Sequence, residues 1–569
     1  MRLRLPILAT LALVSGLAHG QTYVELHEFG AGMDGYAPAA GVTLDAAGNI
    51  YGVARDGGRF SQGMLWEITS VGLYRDLHDF GIDSDGQNPT GGVTFDDEGN
   101  LYGTAYAGGE GNSGMVWEIT TAGVYKDLHD FGSRADGSYP LAGVTFDRAG
   151  NMYGTTSDGG ADRGGIVWEL TKAGGYRDLH DFGGGSDGIA PQAAVKFDAA
   201  GNMYGTTIEG GRYGSDYSGG TVWEITKAGG YKDLHDFGSG HDGQSALSEV
   251  TLDVAGDLFG TCAAGGLVGG GMVWEITSAG AYKDLHDFGK GDDGTDPQAG
   301  VAIDAAGNKY GTAWSGGADK AGMVWEITEA GLYKDLHDFG VDTDGQNPIT
   351  DITFDQTGAL YGTTQIGGFQ GGGIVWRLSK ALSLSGLTIS PNVATGGASA
   401  IGTVKLSASA PAGGIPVYLS SSSTAANAPT FVTVPSGATS AAFTVKTFPV
   451  AADVTATISA MDGPVTKTAT ITVEAPLLTA LSLSPSTIVG GNFSTGTVTI
   501  SGLAPSAGVV ITLSSSSKVA TLPSSVTILS GKKAGTFTAK TTTVKSSTTA
   551  TITAKSGSVA KIATLTIIP

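Results

Sequence analysis

Three charged side chains stand where a repeated pattern otherwise carries small or neutral ones: Lys196, Glu249 and Asp351. Two carboxylates across a cleft can serve as acid and base in glycoside cleavage when their separation suits that chemistry. A lysine beside them supports a simpler account, an ion pair. A second set concerns metals. Leu-His-(Asp/Glu)-Phe-Gly recurs seven times, through His27, His78, His129, His180, His235, His286 and His337. Asp127 and His129 stand two apart, the spacing at which carboxylate and imidazole on one face of a strand chelate. Catalysis needs one site, however, and a group copied into every repeat is read as holding seven equivalent units together. The Asp-Gly loops group Asp83, Asp85 and Asn88, and again Asp342, Asp344 and Asn347, as a calcium loop would. They lack the bidentate Glu of such a loop, and an Asx turn ahead of proline is the preferred reading. No cofactor is expected beyond that calcium alternative. Cys262 is the only cysteine, which excludes a disulfide and a Cys-based zinc site; it replaces Thr or Ala of the other repeats and reads as a small buried residue. Nucleophile motifs and phosphate loops are absent.

The elements that position these groups follow from the histidine spacing, which is 51, 51, 51, 55, 51 and 51 residues. A fixed period of that size marks a repeat architecture. In the second unit, Gly92 to Asp96 is a short β-rich run closed by a Gly-Asn turn, and Leu101 to Thr104 follows it. A glycine-rich loop leads to Met115–Thr120, and a tight Thr-Ala-Gly turn to Val124–Phe131, which sets Glu118 opposite Lys126. Four short strands per unit and no helical period predict an all-β, seven-bladed β-propeller. The repeats begin with a lone fourth strand, Tyr23 to Phe29, and end at Ile352 to Leu378 without one. Pairing of Tyr23–Phe29 with Ile374–Leu378 would close the circle and remove both open edges.

These motifs, recurring together in one order over residues 23–380, resemble the GloVer (Gloeobacter/Verrucomicrobia-type) tandem repeat of bacterial exported proteins. The Phe-Asp-x-x-Gly-Asn-x-Tyr hairpin is also similar to NHL-type propeller blades. The resemblance implies a secreted or surface-attached β-protein and supplies no activity.

Function confined to one place should show where the units differ. The residue two after Tyr-Gly-Thr is Arg55, Tyr106, Ser157, Ile208, Ala263, Trp314 or Gln365. The fourth unit carries the insertion behind the 55-residue spacing, around Glu209, Arg212, Tyr213 and Tyr217. Aromatic rings beside carboxylates and an arginine suit a sugar, whose apolar face stacks while its hydroxyls take polar partners. Arg55, Tyr106, Trp314, Gln365 and the insertion are therefore the expected ligand-binding residues, gathered on one loop face with an extracellular glycan or other surface ligand as partner. The leading expectation is a non-enzymatic binding scaffold. The alternatives are a polysaccharide hydrolase or lyase using Glu249 and Asp351, and a purely structural envelope protein.

The ends of the chain fix its setting. Arg2 and Arg4 precede an apolar stretch from Leu5 to Ala18 and a small-residue exit, so residues 1–20 read as a secretory signal. No later run is long enough to span a membrane as a helix. From Leu384 onward the chain is rich in Ser, Thr, Val and Ala, and ten lysines face three acids, a balance of +7. The remainder then carries −29 of the total −22, which repels phosphate backbones and argues against nucleic-acid binding. Two copies stand 94 residues apart, Ile389-Ser-Pro matching Leu483-Ser-Pro and Leu419-Ser-Ser matching Leu513-Ser-Ser. They predict two Ig-like β-sandwiches, 384–475 and 476–569, after a propeller over 21–383. The excess of lysine there suits electrostatic contact with anionic envelope polymers.

Overall fold

The computed structural model describes residues 21–81, 85–132, 136–214, 219–340, 344–380, 382–410, 413–463 and 465–569. The expected signal segment, Asp83, Asp342 and Tyr217 lie outside them. Every regular element among the described residues is a strand, and the chain divides into two compact units, Met1–Ser379 and Lys380–Pro569.

Among the described residues of the first unit, seven sheets of four or five strands share one order, beside four short two-stranded pairs. In the second repeat the strands are Thr94–Phe95, Leu101–Ala105, Met115–Ile119 and Tyr125–Asp130, each antiparallel to the next. The last sheet takes its fourth strand from the other end of the chain: Gln21–Glu28 pairs with Ile374–Lys380. Each hairpin between the first two strands is held by one aspartate. Asp96 accepts the backbone N–H groups of Glu98 and Asn100, the Asn100 amide and the Tyr102 hydroxyl. Those bonds outweigh desolvation and hold its carboxyl below the usual range. Gly99 supplies the positive φ, 84°, that the turn requires.

The hydrophobic cores lie between sheets rather than within them. One cluster joins Leu65 and Phe80 of the first sheet to Met115 and Trp117 of the second, and another joins Val375 of the last to Trp66 of the first. Each seam is built alike. The histidine of one sheet lies flat on the tyrosine of the next, from His27 on Tyr74 at 3.8 Å to His337 on Tyr23 at 4.2 Å. The following phenylalanine packs on the next sheet's tryptophan, as Phe80 on Trp117 at 5.5 Å. Threonine hydroxyls add bonds across the seams: Thr104 to the Ala142 carbonyl at 2.7 Å, and Thr363 to that of Ala40 at 3.2 Å. Following these contacts from sheet to sheet leads back to the first.

A bulge arranges this. In the fourth strand Asp127 faces Trp117 and His129 faces Val116, which leaves Leu128 unpaired. The extra residue changes the phase of alternation. Tyr125 meets His78 of the preceding sheet, whereas His129 meets Tyr176 of the following one. The expectation that Asp127 and His129 share a face is therefore corrected: the bulge turns them to opposite seams and they cannot chelate together. Glu118 does lie opposite Lys126, with Nζ 2.8 Å from Oε1.

In the second unit, Leu384–Ser390, Ser399–Leu406, Ser440–Thr447 and Ala426–Asn427 form one sheet. A five-stranded sheet through Val465–Glu474 and Ile415–Ser421 packs on it around Val404, Val417, Phe443 and Ile458. The same two-sheet arrangement recurs around Val498, Ile511, Phe537 and Ile552.

Each seam tryptophan covers the glycine of the neighbouring Tyr-Gly-Thr strand. A Cβ on Gly103 would lie 2.3 Å from Trp117 Cζ2. Trp117→Ala, which empties a fully buried site, should cost about 3–5 kcal/mol, and the overpacked Gly103→Ala about 1–3 kcal/mol. Calorimetric melting of the first unit's transition checks both, and a Gly103→Ala chain as stable as the parent would refute this packing.

Candidate functional site

The three charged residues converge. Glu249 and Asp351 precede the first strands Thr251–Leu252 and Thr353–Phe354 by two residues, and Lys196 opens Lys196–Phe197. In the column of Glu249 and Asp351 the other sheets carry Gly41, Gly92, Gly143, Ala194 and Gly300. Neighbours in this column approach closely: a Cβ on Gly143 would lie 2.4 Å from the Gly92 carbonyl oxygen. Gly300 has no side chain and leaves room for both acids. Asp351 Oδ1 and Glu249 Cγ each come within 3.0 Å of the point a Cβ there would occupy. The two side chains therefore face each other across no more than about 6 Å, where like charges disfavour double ionisation.

Their charges are shared out unequally. Lys196 Nζ lies 2.9 Å from Glu249 Oε1, and that carboxylate raises the lysine above its ordinary value. The Gly300 N–H donates to Asp351 at 2.5 Å. Burial, then the Glu249 charge, pushes the Asp351 carboxyl up to about 7, against smaller lowering effects from Gly300 and Lys196. The cluster is thus an ion pair beside a carboxyl that exchanges its proton near neutrality.

The expected ligand-binding residues fall into two groups. Tyr106, Trp314 and Gln365 stand at equivalent positions, their N–H groups bonded to the carbonyls of Asn88, Asp296 and Asn347. Ser157, Ile208 and Ala263 are held in the same way by Tyr139, Ala190 and Ser245. Arg55 occupies the corresponding place in the first sheet, where Ala54 pairs with Pro38. The accepting residues form a second column that sequence reasoning missed. Ala37, Asn88, Tyr139, Ala190, Ser245, Asp296 and Asn347 all have positive φ, between 52° and 60°. Non-glycine residues rarely hold that conformation unless their surroundings impose it. Here the N–H of each bonds the preceding sheet, from Ala37 to Gly372 through Asn347 to Ala321, while the carbonyl serves its own. The available signal was the residue ahead of proline, which six of the seven are.

At each seam the two columns meet with different side chains. The Asn88 amide donates to the Arg55 carbonyl and to Asp56, which in turn binds the Arg55 guanidinium at 2.8 Å. Tyr106 stacks on Tyr139 at 4.9 Å. The Asn347 amide donates to the Trp314 carbonyl at 3.0 Å. Tyr106 and Trp314 belong to separate, non-adjacent seams.

The described residues of the fourth-sheet insertion lie elsewhere, against expectation. The Arg212 N–H donates to Asp236 of the outer strand at 2.8 Å, and Tyr213 lines a groove with His235, His241, Asp242 and Tyr282. The same outward pull acts on other glycine-rich loops, as Arg59 N–H on Asp79 and Leu267 N–H on Asp287. Glu209 stays in the short pair with Ile189. Arg212 and Tyr213 therefore do not join Tyr106 and Trp314.

The calcium alternative also changes. Asp85 bonds His78 through one oxygen and the Gly86 N–H through the other, and Asp344 bonds His337 and the Gly340 N–H likewise. Asn88 and Asn347 brace the variable column instead. The seven His–Asp contacts, 2.9–3.2 Å, belong to the seams. Cys262 is buried, which pushes its thiol up and leaves it unreactive.

Three overlapping segments, residues 13–147, 133–310 and 285–409, match the model of the Gloeobacter/Verrucomicrobia repeat. No curated protein matches the chain. Among solved structures it is similar to the D0-D1 domain of intimin (15% identity, 33% of this chain and 99% of that one, TM-score 0.15). It is likewise similar to domains 4 and 5 of the S-layer protein SbsC (20%, 33% and 98%, TM-score 0.18). A polysaccharide lyase of the ulvan-lyase type aligns at 10% identity over 63% of this chain and 95% of its own, with a TM-score of 0.37.

Asp351 carries a stability signature. Its folded-state value of about 7 exceeds the ordinary 3.8, so the folded chain binds more protons than the unfolded one between them. The resulting stabilisation is complete below about pH 4 and is lost as pH rises through 7. Melting temperatures of the parent and Asp351→Asn, taken between about pH 5 and 8, should diverge with pH; parallel curves would show that Asp351 titrates as an ordinary carboxylate.

Proposed function

The chain belongs to the Gloeobacter/Verrucomicrobia repeat family, and from that premise we propose a secreted or cell-surface binding scaffold, non-enzymatic, that recognises an extracellular glycan. In this reading residues 21–383 are a seven-bladed β-propeller closed by the N-terminal strand. Residues 384–475 and 476–569 are two Ig-like sandwiches that present it, and residues 1–20 direct export. The binding face is the rim formed by the two variable columns. One observation carries this reading: like backbone bonds hold Tyr106, Ser157, Ile208, Ala263, Trp314 and Gln365, whose side chains all differ, and across the seams Arg55 meets Asn88, Tyr106 meets Tyr139 and Trp314 meets Asn347. A frame that fixes the backbone and frees the side chain is what a recognition surface on a rigid scaffold requires. Aromatic groups at two seams and polar ones between them suit an extended polyhydroxyl ligand touching several seams. The lysine excess of the second unit supports a further contact with anionic envelope polymers, and the acidic first unit supports no nucleic-acid partner.

The cleavage reading has the neutral-range titration of Asp351 beside Glu249 in its favour. The Lys196 contact holds Glu249 as half of an ion pair, which favours a structural role.

On a glycan array, Trp314→Ala and Tyr106→Ala should each weaken binding by about tenfold or more, the loss typical of a central aromatic contact. Undiminished binding by both would remove the rim from consideration. Release of reducing ends that disappears in Glu249→Gln would replace the scaffold reading with the enzymatic one.

A further inference from the structure

The two sandwiches of the second unit are twins in strand order, and they differ on one outward sheet face. In the first, Tyr418 pairs across the strands with Phe431 on one side and Met461 on the other. All three point away from the core, with 57%, 51% and 39% of their surface exposed. Outward and inward residues alternate along Ile415–Ser421, so these side chains are placed there by the sheet's period, while Val417 and Leu419 fill the core. In the twin the same register positions carry Thr512, Ser525 and Lys555. The sheet therefore folds without the apolar trio. The twin exposes Val510 and Ile562 elsewhere on that face, but the unbroken apolar row across three strands belongs to the first sandwich, and such contiguous exposed apolar surface is the mark of a contact surface.

The chemistry around the trio selects the occupant. Paired residues on adjacent strands bring Tyr418 and Phe431 side by side, and neither ring engages another ring among the described residues. Ser420 and Ser459 pair next to them, and Thr466 pairs with Met461, so hydroxyls continue the surface. The outward positions of Ile415–Ser421, Phe431–Val434 and Val454–Asp462 hold no charged side chain, although the chain from Leu384 onward carries ten lysines. A neutral surface of aromatic rings flanked by hydroxyls complements a neutral polyhydroxyl chain, whose sugar rings stack while their hydroxyls exchange hydrogen bonds. An anionic polymer would be held by the lysines elsewhere. We propose that the Tyr418–Phe431–Met461 face of the first sandwich is a docking site for a neutral polysaccharide, separate from the rim of the repeats.

The test uses the full chain and its pelleting with insoluble cellulose and with chitin. The double variant Tyr418→Thr/Phe431→Ser installs the twin's residues, so the fold already accommodates them. Retention on at least one of the two polysaccharides should fall about tenfold in apparent affinity in this variant, with an unchanged melting temperature. Met461→Lys, which installs the twin's charge, should lower retention as well. Trp314→Ala should leave it unchanged, which separates this face from the rim. Equal retention of parent and double variant, or no retention of the parent on either polysaccharide, would overturn the proposal. So would a concentration-dependent dimer in sedimentation analysis that the double variant abolishes, since the face would then belong to a second copy of the chain.

Discussion

The seam governs this molecule. A single four-stranded sheet of the repeats turns its tryptophan to one seam and its phenylalanine to the other, and each ring is completed by a partner from the neighbouring sheet. Burial comes only when Phe80 meets Trp117, Phe131 meets Trp168 and so on through Phe339 and Trp376. Aromatic pairs of this kind add about 0.5–1.5 kcal/mol beyond their buried area. The last seam depends on Gln21–Glu28, which sits some 350 residues from its partner strand. Loop-closure entropy grows only logarithmically with length, each doubling adding about 0.6 kcal/mol, so one aromatic seam outweighs the extra separation. Tyr23 on His337 and Phe29 on Trp66 supply that seam.

Sevenfold seams limit where specificity can reside. A residue that contacts the next sheet must keep its type, because the same contact recurs around the circuit. The glycine column at Gly41, Gly92 and Gly143 is constrained in this way by close backbone approach. Glu249 and Asp351 break that column where Gly300 between them leaves room, and Lys196, two residues past the column in its own sheet, pairs with Glu249. The column of Tyr106, Trp314 and Gln365 is free in another sense: its backbone is fixed and its side chains carry no seam contact that demands one residue type.

Much of this was legible in the residues. The 51-residue period, the four strands, the N-terminal strand beside Ile374–Lys380 and the Glu118–Lys126 pairing follow from alternation and turn chemistry. The bulge at Leu128 was not, since a single unpaired residue leaves the composition of a strand unchanged and yet reverses which seam His129 faces. The direction of the glycine-rich loops was hidden for a related reason. Glycines announce a loop, but what anchors it is a distant aspartate such as Asp236. The positive-φ column was masked by variety: Ala, Asn, Tyr, Ser and Asp share no propensity, and the conformation is imposed by bonds to two neighbouring sheets.

The acidity of the first unit has a structural origin. In the first two repeats Asp85 serves the seam histidine, Asp96 the hairpin, Asp79 the glycine-rich loop and Glu118 the lysine across the strand. Asp76, Asp127 and Asp178 stand near those groups, and burial together with a neighbouring aspartate pushes each up to about 6. Carboxylates are the natural choice for these tasks, because one acid can accept several backbone N–H groups where loops have no strand partner. Repeating that solution in every unit accumulates negative charge without any ligand having selected it. The −29 balance of residues 1–383 therefore follows in large part from how the loops, hairpins and seams of the repeats are held in place.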